Sequence, residues 1–417
     1  MNSRCEMVIL SFLISMVIIF YMVHKKINIG IALTLGASIL LILNGSSITF
    51  LIMIIINAIA NISTINLVLA ISLITILGHL MDYYKITSRM ILSLRSVLRS
   101  TKVTILLAPA LMGMLQISGG ALMSCPIVNS LGDELKLDNI KKSAINLLFR
   151  HGIYFIFPLS PAFILAAQLA EIKMWDFMKI QFPIFFILYL VGYFVLLRTA
   201  TSPPLKKNSL KEYIKSIVSF SYFAAPILLS LISAVFFGLT LYIAILLGLT
   251  AALIIHFIDT KIDSTYIVED NVITASIKGF KPSIVLAIIG IMIFKDAVNN
   301  IDGLHELFYS LIASGAPVGI IIVIGTAMLS FPLASVQPSI AILFPLIIPL
   351  AGDYSARLVY AMFIYSSGFI FYYISPLHMC QVLTLEYFGV NIKQLYKTYR
   401  VILALTFLMI IFIYMKA

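Results

Sequence analysis

Apolar runs close to the ~20 residues that a helix needs to cross a bilayer recur along this 417-residue chain. A run such as Phe50-Leu51-Ile52-Met53-Ile54-Ile55-Ile56-Asn57-Ala58-Ile59 does not alternate polar with apolar residues, as a strand of a membrane barrel would. Only 11% of residues are charged, 61% are apolar and the mean hydropathy is +1.09, which excludes an ordinary soluble domain. The expected fold class is an all-α integral membrane protein.

The stretch Met7 to Val23 is read as a retained transmembrane helix, because no basic leader or small-residue cleavage site frames it. Crossings are expected at 27–43, 64–81, 143–170 and 180–197, then at 222–237, 239–257, 283–300, 355–387 and 397–415, about 10 in all. The segment 48–60 reads as a lead-in to the third crossing, broken near Asn61 and not itself a crossing.

The net charge of +11 is explained by cytoplasmic loops, which concentrate Lys and Arg, and not by nucleic acid. Lys25-Lys26, the loop 82–102, the loop 132–142, the linker 201–221, the loop 258–281 and the Lys393/Lys397/Arg400 cluster are placed inside. Both chain termini then lie outside.

Residues 103–131 begin and end on the basic side, and their legs 103–117 and 122–131 are about 22 and 15 Å long. Neither covers a ~30 Å core, so the segment reads as a re-entrant hairpin. The loop 301–316 carries Asp302 and Glu306 without Lys or Arg, which places it outside. Residues 317–350 then form a second hairpin from the opposite face. Residues 1–200 and 222–417 thus become two inverted-topology repeats, each with five crossings and one hairpin, the arrangement alternating access uses.

Two crossings carry proline breaks, Phe157-Pro158-Leu159-Ser160-Pro161 and Tyr373-Ile374-Ser375-Pro376-Leu377-His378. Proline removes an N–H donor and clashes with the preceding turn, so each crossing is expected as two half-helices. Their free N-termini suit an anion. The segment 83–101 sets Ile86, Met90, Ile91, Leu94, Val97 and Leu98 against Lys85, Arg89, Arg95 and Arg99, the spacing of a helix lying in the interface.

The hairpin tips Ser118-Gly119-Gly120-Ala121 and Ala334-Ser335-Val336-Gln337-Pro338-Ser339, each followed by a proline-broken crossing, resemble the ion-transporter superfamily. That group includes divalent-anion/sodium symporters and citrate, gluconate and arsenite permeases. Gly119–Pro126 together with Phe149–Pro161 is similar to an uncharacterised prokaryotic membrane family within it. The resemblance implies arms, here 83–101 and 303–315, that hold a moving domain. The dicarboxylate symporters carry Ser-Asn-Thr at each tip, where this chain has Ser118-Gly119-Gly120 and Ala334-Ser335-Val336. A dicarboxylate substrate and sodium coupling are therefore not carried over.

Candidate substrate-binding residues are Ser118, Gly119, Gly120 and Ser124 on the first hairpin and Ser330, Ser335, Gln337 and Ser339 on the second. Ser160, Ser375 and His378 flank the proline breaks. Arg150 has two readings: an intramembrane charge contacting substrate, or an anchor snorkelling to headgroups. His151 is either a titrating site residue or a hydrogen-bonded packing residue. Lys295 and Asp296 read as a local ion pair.

Cys5, Cys125 and Cys380 have no paired spacing, so neither disulfides nor a metal site is expected. No GxxxxGK[ST] motif is present, which argues against ATP drive by this chain. The leading reading is a secondary active transporter for a small anionic solute in the cytoplasmic membrane, without cofactor, with Na+ or H+ as possible coupling ion. Alternatives are an ion channel, or an intramembrane enzyme using Cys125 or Ser118 with His151. Expected partners are the lipid bilayer and a small-molecule or ion substrate, with a homodimer as the assembly.

Overall fold

The computed structural model describes residues 3–114, 120–201, 209–262, 271–301 and 317–416, together with Gly303, Leu304, Glu306, Tyr309 and Ser310. These residues form nineteen α-helices and no strand. The first ten are α1 (Ser3–His24), α2 (Ile29–Leu43), α3 (Ile48–Ala60), α4 (Ile62–Tyr83), α5 (Ile86–Leu98), α6 (Thr101–Met114), α7 (Gly120–Glu134), α8 (Asn139–Gly152), α9 (Pro161–Leu169) and α10 (Met174–Leu196). The remainder are α11 (Leu210–Val235), α12 (Leu241–Ile262), α13 (Val272–Gly279), α14 (Pro282–Asn299), α15 (Val318–Leu333), α16 (Gln337–Ile347), α17 (Tyr354–Tyr373), α18 (Met379–Phe388) and α19 (Ile392–Lys416).

Seven of them, α1, α4, α10, α11, α12, α14 and α19, are long and apolar enough to cross a membrane. The other three expected crossings correspond to α2, whose 15 residues, about 22 Å, do not by themselves cover a ~30 Å core, and to two pairs of half-helices, α8 with α9 and α17 with α18. The architecture is that of a multi-pass, all-helical membrane protein.

Two groups of helices share the fold. In one, α2 packs on α14 and α4 on α12, with α1 and α11 alongside. The α2–α14 crossing is a backbone contact. A Cβ on Gly30 would stand 1.9 Å from the Leu286 carbonyl oxygen, and one on Gly290 would stand 2.1 Å from that of Gly30. Small residues allow this close approach, which drives helix association in lipid.

In the second group, α6 packs on α7 and α8, α15 on α16 and α17, and α10 and α19 lie together against them. The packing is duplicated along the chain. The pairs α1–α2, α6–α8 and α8–α10 recur as α11–α12, α15–α17 and α17–α19, and α7–α18 is matched by α9–α16.

Both breaks fall where proline placed them. Pro161 stands at the start of α9, where its missing N–H costs nothing, and Pro376 lies between α17 and α18. Asn61 separates α3 from α4 and caps α4 by accepting from the Ser63 N–H at 2.8 Å. At 13 residues, about 20 Å, α3 is too short to cross a ~30 Å core.

Four expectations change. The linker 201–221 is helical from Leu210, because Ser209 and Glu212 form a capping box there. The loop 132–142 shrinks to a turn ahead of α8, and Lys142 is buried against Asp133 (2.5 Å) and Asn129 (2.8 Å).

The third change concerns α5, which does not rest on lipid through its apolar face. Ile86, Met90, Ile91 and Leu94 are buried as it packs along α11 and α6. Its basic stripe meets protein: Arg89 pairs with Asp259 at 2.5 Å and Arg95 with Glu134 at 2.5 Å. Most of the suggested partner arm 303–315 lies outside the described residues.

Fourth, Lys295 pairs with Glu171 at 3.7 Å, and Glu171 also meets Arg357 at 3.4 Å. Adjacent residues on a helix do not face each other, which is why Lys295 reaches across to another element and not to Asp296.

Candidate functional site

A cavity of about 210 Å³ lies where the second hairpin tip meets both broken crossings. Arg150, His151, Tyr154, Ser160, Ala334, Ser335, Gln337, Phe369, Tyr372 and Cys380 are among its lining residues. Among the described residues, no Asp or Glu lines it.

Three helix N-termini reach this cavity: α9 through Ser160 and Ala162, α16 through Val336 and Gln337, and α18 through Cys380. None of the three is closed by a capping side-chain hydrogen bond. Uncapped N–H groups and the aligned peptide dipoles make such termini anion sites.

Arg150 is 3% exposed, so it does not snorkel to headgroups. Its recorded hydrogen bond among the described residues is a long one, Nη1 to Ser124 Oγ at 3.4 Å, and it enters no ion pair there. The close approach of α6 to α8 holds it in place. A Cβ on Gly113 would meet the Arg150 carbonyl oxygen at 2.1 Å, and Tyr154 Oη donates to the Gly113 carbonyl at 2.8 Å.

His151 Nδ1 donates to the Leu147 carbonyl at 2.9 Å, leaving Nε2 with a lone pair. Its ring lies 4.8 Å from that of His378, which packs on Tyr372 at 4.0 Å.

The second hairpin turns at Ala334, whose φ of 46° is left-handed and strained for a residue with a Cβ. Beyond it the Ser335 hydroxyl donates to the Gln337 side-chain carbonyl. Both residues also line a second, more apolar cavity of about 280 Å³ bounded by Asn28, Ile71, Pro161 and Ile288. The tip is therefore a wall between two cavities.

Other candidates sit behind the wall. Ser330 and Ser339 are fully buried and bonded to each other at 2.6 Å, pinning α15 to α16. Ser375 accepts from the Leu377 N–H at 3.3 Å and organises the second break. Ser118 and Gly119 lie outside the described residues, and Gly120 opens α7.

The sequence reading passed over Tyr154, Phe369, Tyr372 and Cys380, which line the cavity. It also passed over Asn146, which donates to Thr384 Oγ1 at 2.9 Å and joins α8 to α18. The available signal was proximity in sequence to the proline breaks.

The fold and cavity define a multi-pass helical membrane protein with a buried polar chamber at broken helices. The chain belongs to the family described as a protein of unknown function, DUF401, whose profile matches residues 7–416. Its fold is similar to that of the YdaH transporter of Alcanivorax borkumensis, with a TM-score of 0.61 and 14% identity over 88% of each chain. No curated protein sequence matches it.

Proposed function

We propose that this protein is a secondary carrier for a small anionic solute, with two inverted repeats of the ion-transporter type. One observation carries the reading: three uncapped helix N-termini and the Arg150 guanidinium meet in one chamber, with no carboxylate among its described lining residues. Positive partial charges and an unneutralised guanidinium in a low-dielectric setting favour an anion over a cation. The ~210 Å³ volume lies below the ~300–1,000 Å³ of drug-sized pockets, which fits a small solute.

The duplicated packing and the matched breaks support the inverted repeats, since carriers of this build bind at half-helix ends midway through the bilayer. The Ser335–Gln337 tip then serves as the gate between the two cavities. The basic loops support a cytoplasmic-membrane location with both termini outside. Na+ or H+ would serve as the carrier's coupling ion.

A thermal-shift screen of the purified protein against organic acids, oxyanions, amino acids and neutral solutes, with and without Na+, tests the reading. Stabilisation by at least one anion, lost in Arg150→Met, is the expected result. Stabilisation by cations or neutral solutes alone overturns it.

A further inference from the structure

His151, on α8, and His378 and Cys380, at the start of α18, come from the two halves of the chain; His151 and Cys380 line the chamber, and His378 lies beside them. One ring nitrogen of each histidine and Cys380 Sγ all lie within 4.8 Å of one another. We propose that these three side chains form a binding site for a divalent, borderline-soft transition metal of the Zn2+ class.

Three features fit metal ligation. The His151 ring is already oriented for it: Nδ1–H donates to the Leu147 carbonyl, the outer hydrogen bond that fixes the tautomer of a ligating imidazole and leaves Nε2 to bind. His378 is 2% exposed, yet its Nε2 has no hydrogen-bond partner among the described residues. A buried ring nitrogen without a partner is costly, and a metal bond removes that cost. Imidazole and thiolate together select Zn2+, Co2+ or Cu+ over Mg2+ or Ca2+.

Bond lengths of about 2.0–2.1 Å to nitrogen and 2.3 Å to sulfur in a tetrahedral site put these ligand atoms roughly 3.3–3.6 Å apart. The cluster needs a contraction of about 1.2–1.5 Å from a separation of up to 4.8 Å, which rotation of the side chains would have to supply. Three protein ligands leave a fourth position open toward the chamber, the arrangement of an exchangeable metal site and not a closed structural one. On binding, the Cys380 S–H bond breaks, the S–metal bond forms with the sulfur pair, and the proton leaves to solvent.

Arg150 lines the same chamber, so its charge opposes a bare cation there. Guanidinium and divalent ion together carry three positive charges, and the thiolate offsets one of them. An anion bridging the open metal position and the guanidinium would lower the remainder. This last role rests on the carrier reading; the metal site itself does not.

Titration of the purified full-length protein with Co2+, without any anionic solute, tests the site. A thiolate-to-Co2+ charge-transfer band saturating at one ion per chain is expected. It should vanish in Cys380→Ser, persist in Cys125→Ser, and require at least tenfold more Co2+ in His378→Gln. Unchanged helical circular dichroism and elution volume identify variants that have kept their fold. Absence of the band in the wild type, or its survival in Cys380→Ser, overturns the proposal. If anions stabilise the protein but no band forms, the metal site falls and the carrier reading stands. If the band forms but no anion stabilises, the reverse holds.

Discussion

Arg150 Nη1 stands 3.4 Å from Ser124 Oγ, a long contact for the buried guanidinium that faces the central chamber. A guanidinium has five N–H donors, so most of its capacity is available to a ligand. Hydrogen bonds to charged groups are worth about 1.5–3 kcal/mol. Arg150→Met is expected to weaken anion binding by roughly 10- to 150-fold. Replacing a buried charge without an ionic partner by an apolar side chain costs little stability, so Tm should hold or rise. Calorimetric titration with the anion found by screening, beside a melting curve, checks both halves.

The Ser335–Gln337 contact closes the turn between the two cavities. Ser335→Ala and Gln337→Ala should each weaken solute binding several-fold and leave Tm nearly unchanged, because neither side chain supports the core. Unchanged affinity in both variants would remove these residues from the site. Ser330→Ala should do the opposite, costing about 1 kcal/mol of stability and so lowering Tm, with less effect on affinity, because its hydroxyl pins one leg of the hairpin to the other.

Gly113 is where α6 touches α8 behind the guanidinium. Gly113→Ala puts a methyl against the Arg150 carbonyl and should cost about 1–3 kcal/mol through forced displacement. Gly352→Ala is the control, since nothing lies within 4 Å of its added carbon. Melting temperatures of the two variants give the comparison.

Asn146 and Thr384 tie α8 to α18 at 2.9 Å. A double-mutant cycle with Asn146→Leu and Thr384→Val should return a coupling of about 1 kcal/mol, within the range of hydrogen bonds between membrane helices. Reversible unfolding in mixed micelles supplies the four stabilities. Zero coupling would mean that this hydrogen bond contributes nothing to the joint between α8 and α18.

The spans and both breaks were legible in the sequence because their causes are local. Pro158, Pro161 and Pro376 fall at the breaks, each removing an N–H donor from the helix ladder, whereas Pro183 and Pro226 sit inside continuous helices; Asn61 announces a new N-terminus. The start of α11 was also written there, in Ser209 and Glu212, beneath a lysine-rich stretch that reads as a loop. What the sequence could not convey is which side chains meet across elements. Nothing near Lys295 names Glu171, and nothing near the α5 stripe names Asp259, since each pairing depends on how distant helices dock. Cys380 and Tyr372 joined the chamber for the same reason.

Gly30 and Gly290 bring two main chains together without an intervening side chain. Such a joint has no rotamers to rearrange, so sliding α2 past α14 would leave unfilled space in place of a new fit. That pair is suited to be the stationary frame of any working cycle. Displacement is then left to the broken elements around Ser160, Ser335 and His378, whose short rigid segments are joined by irregular turns.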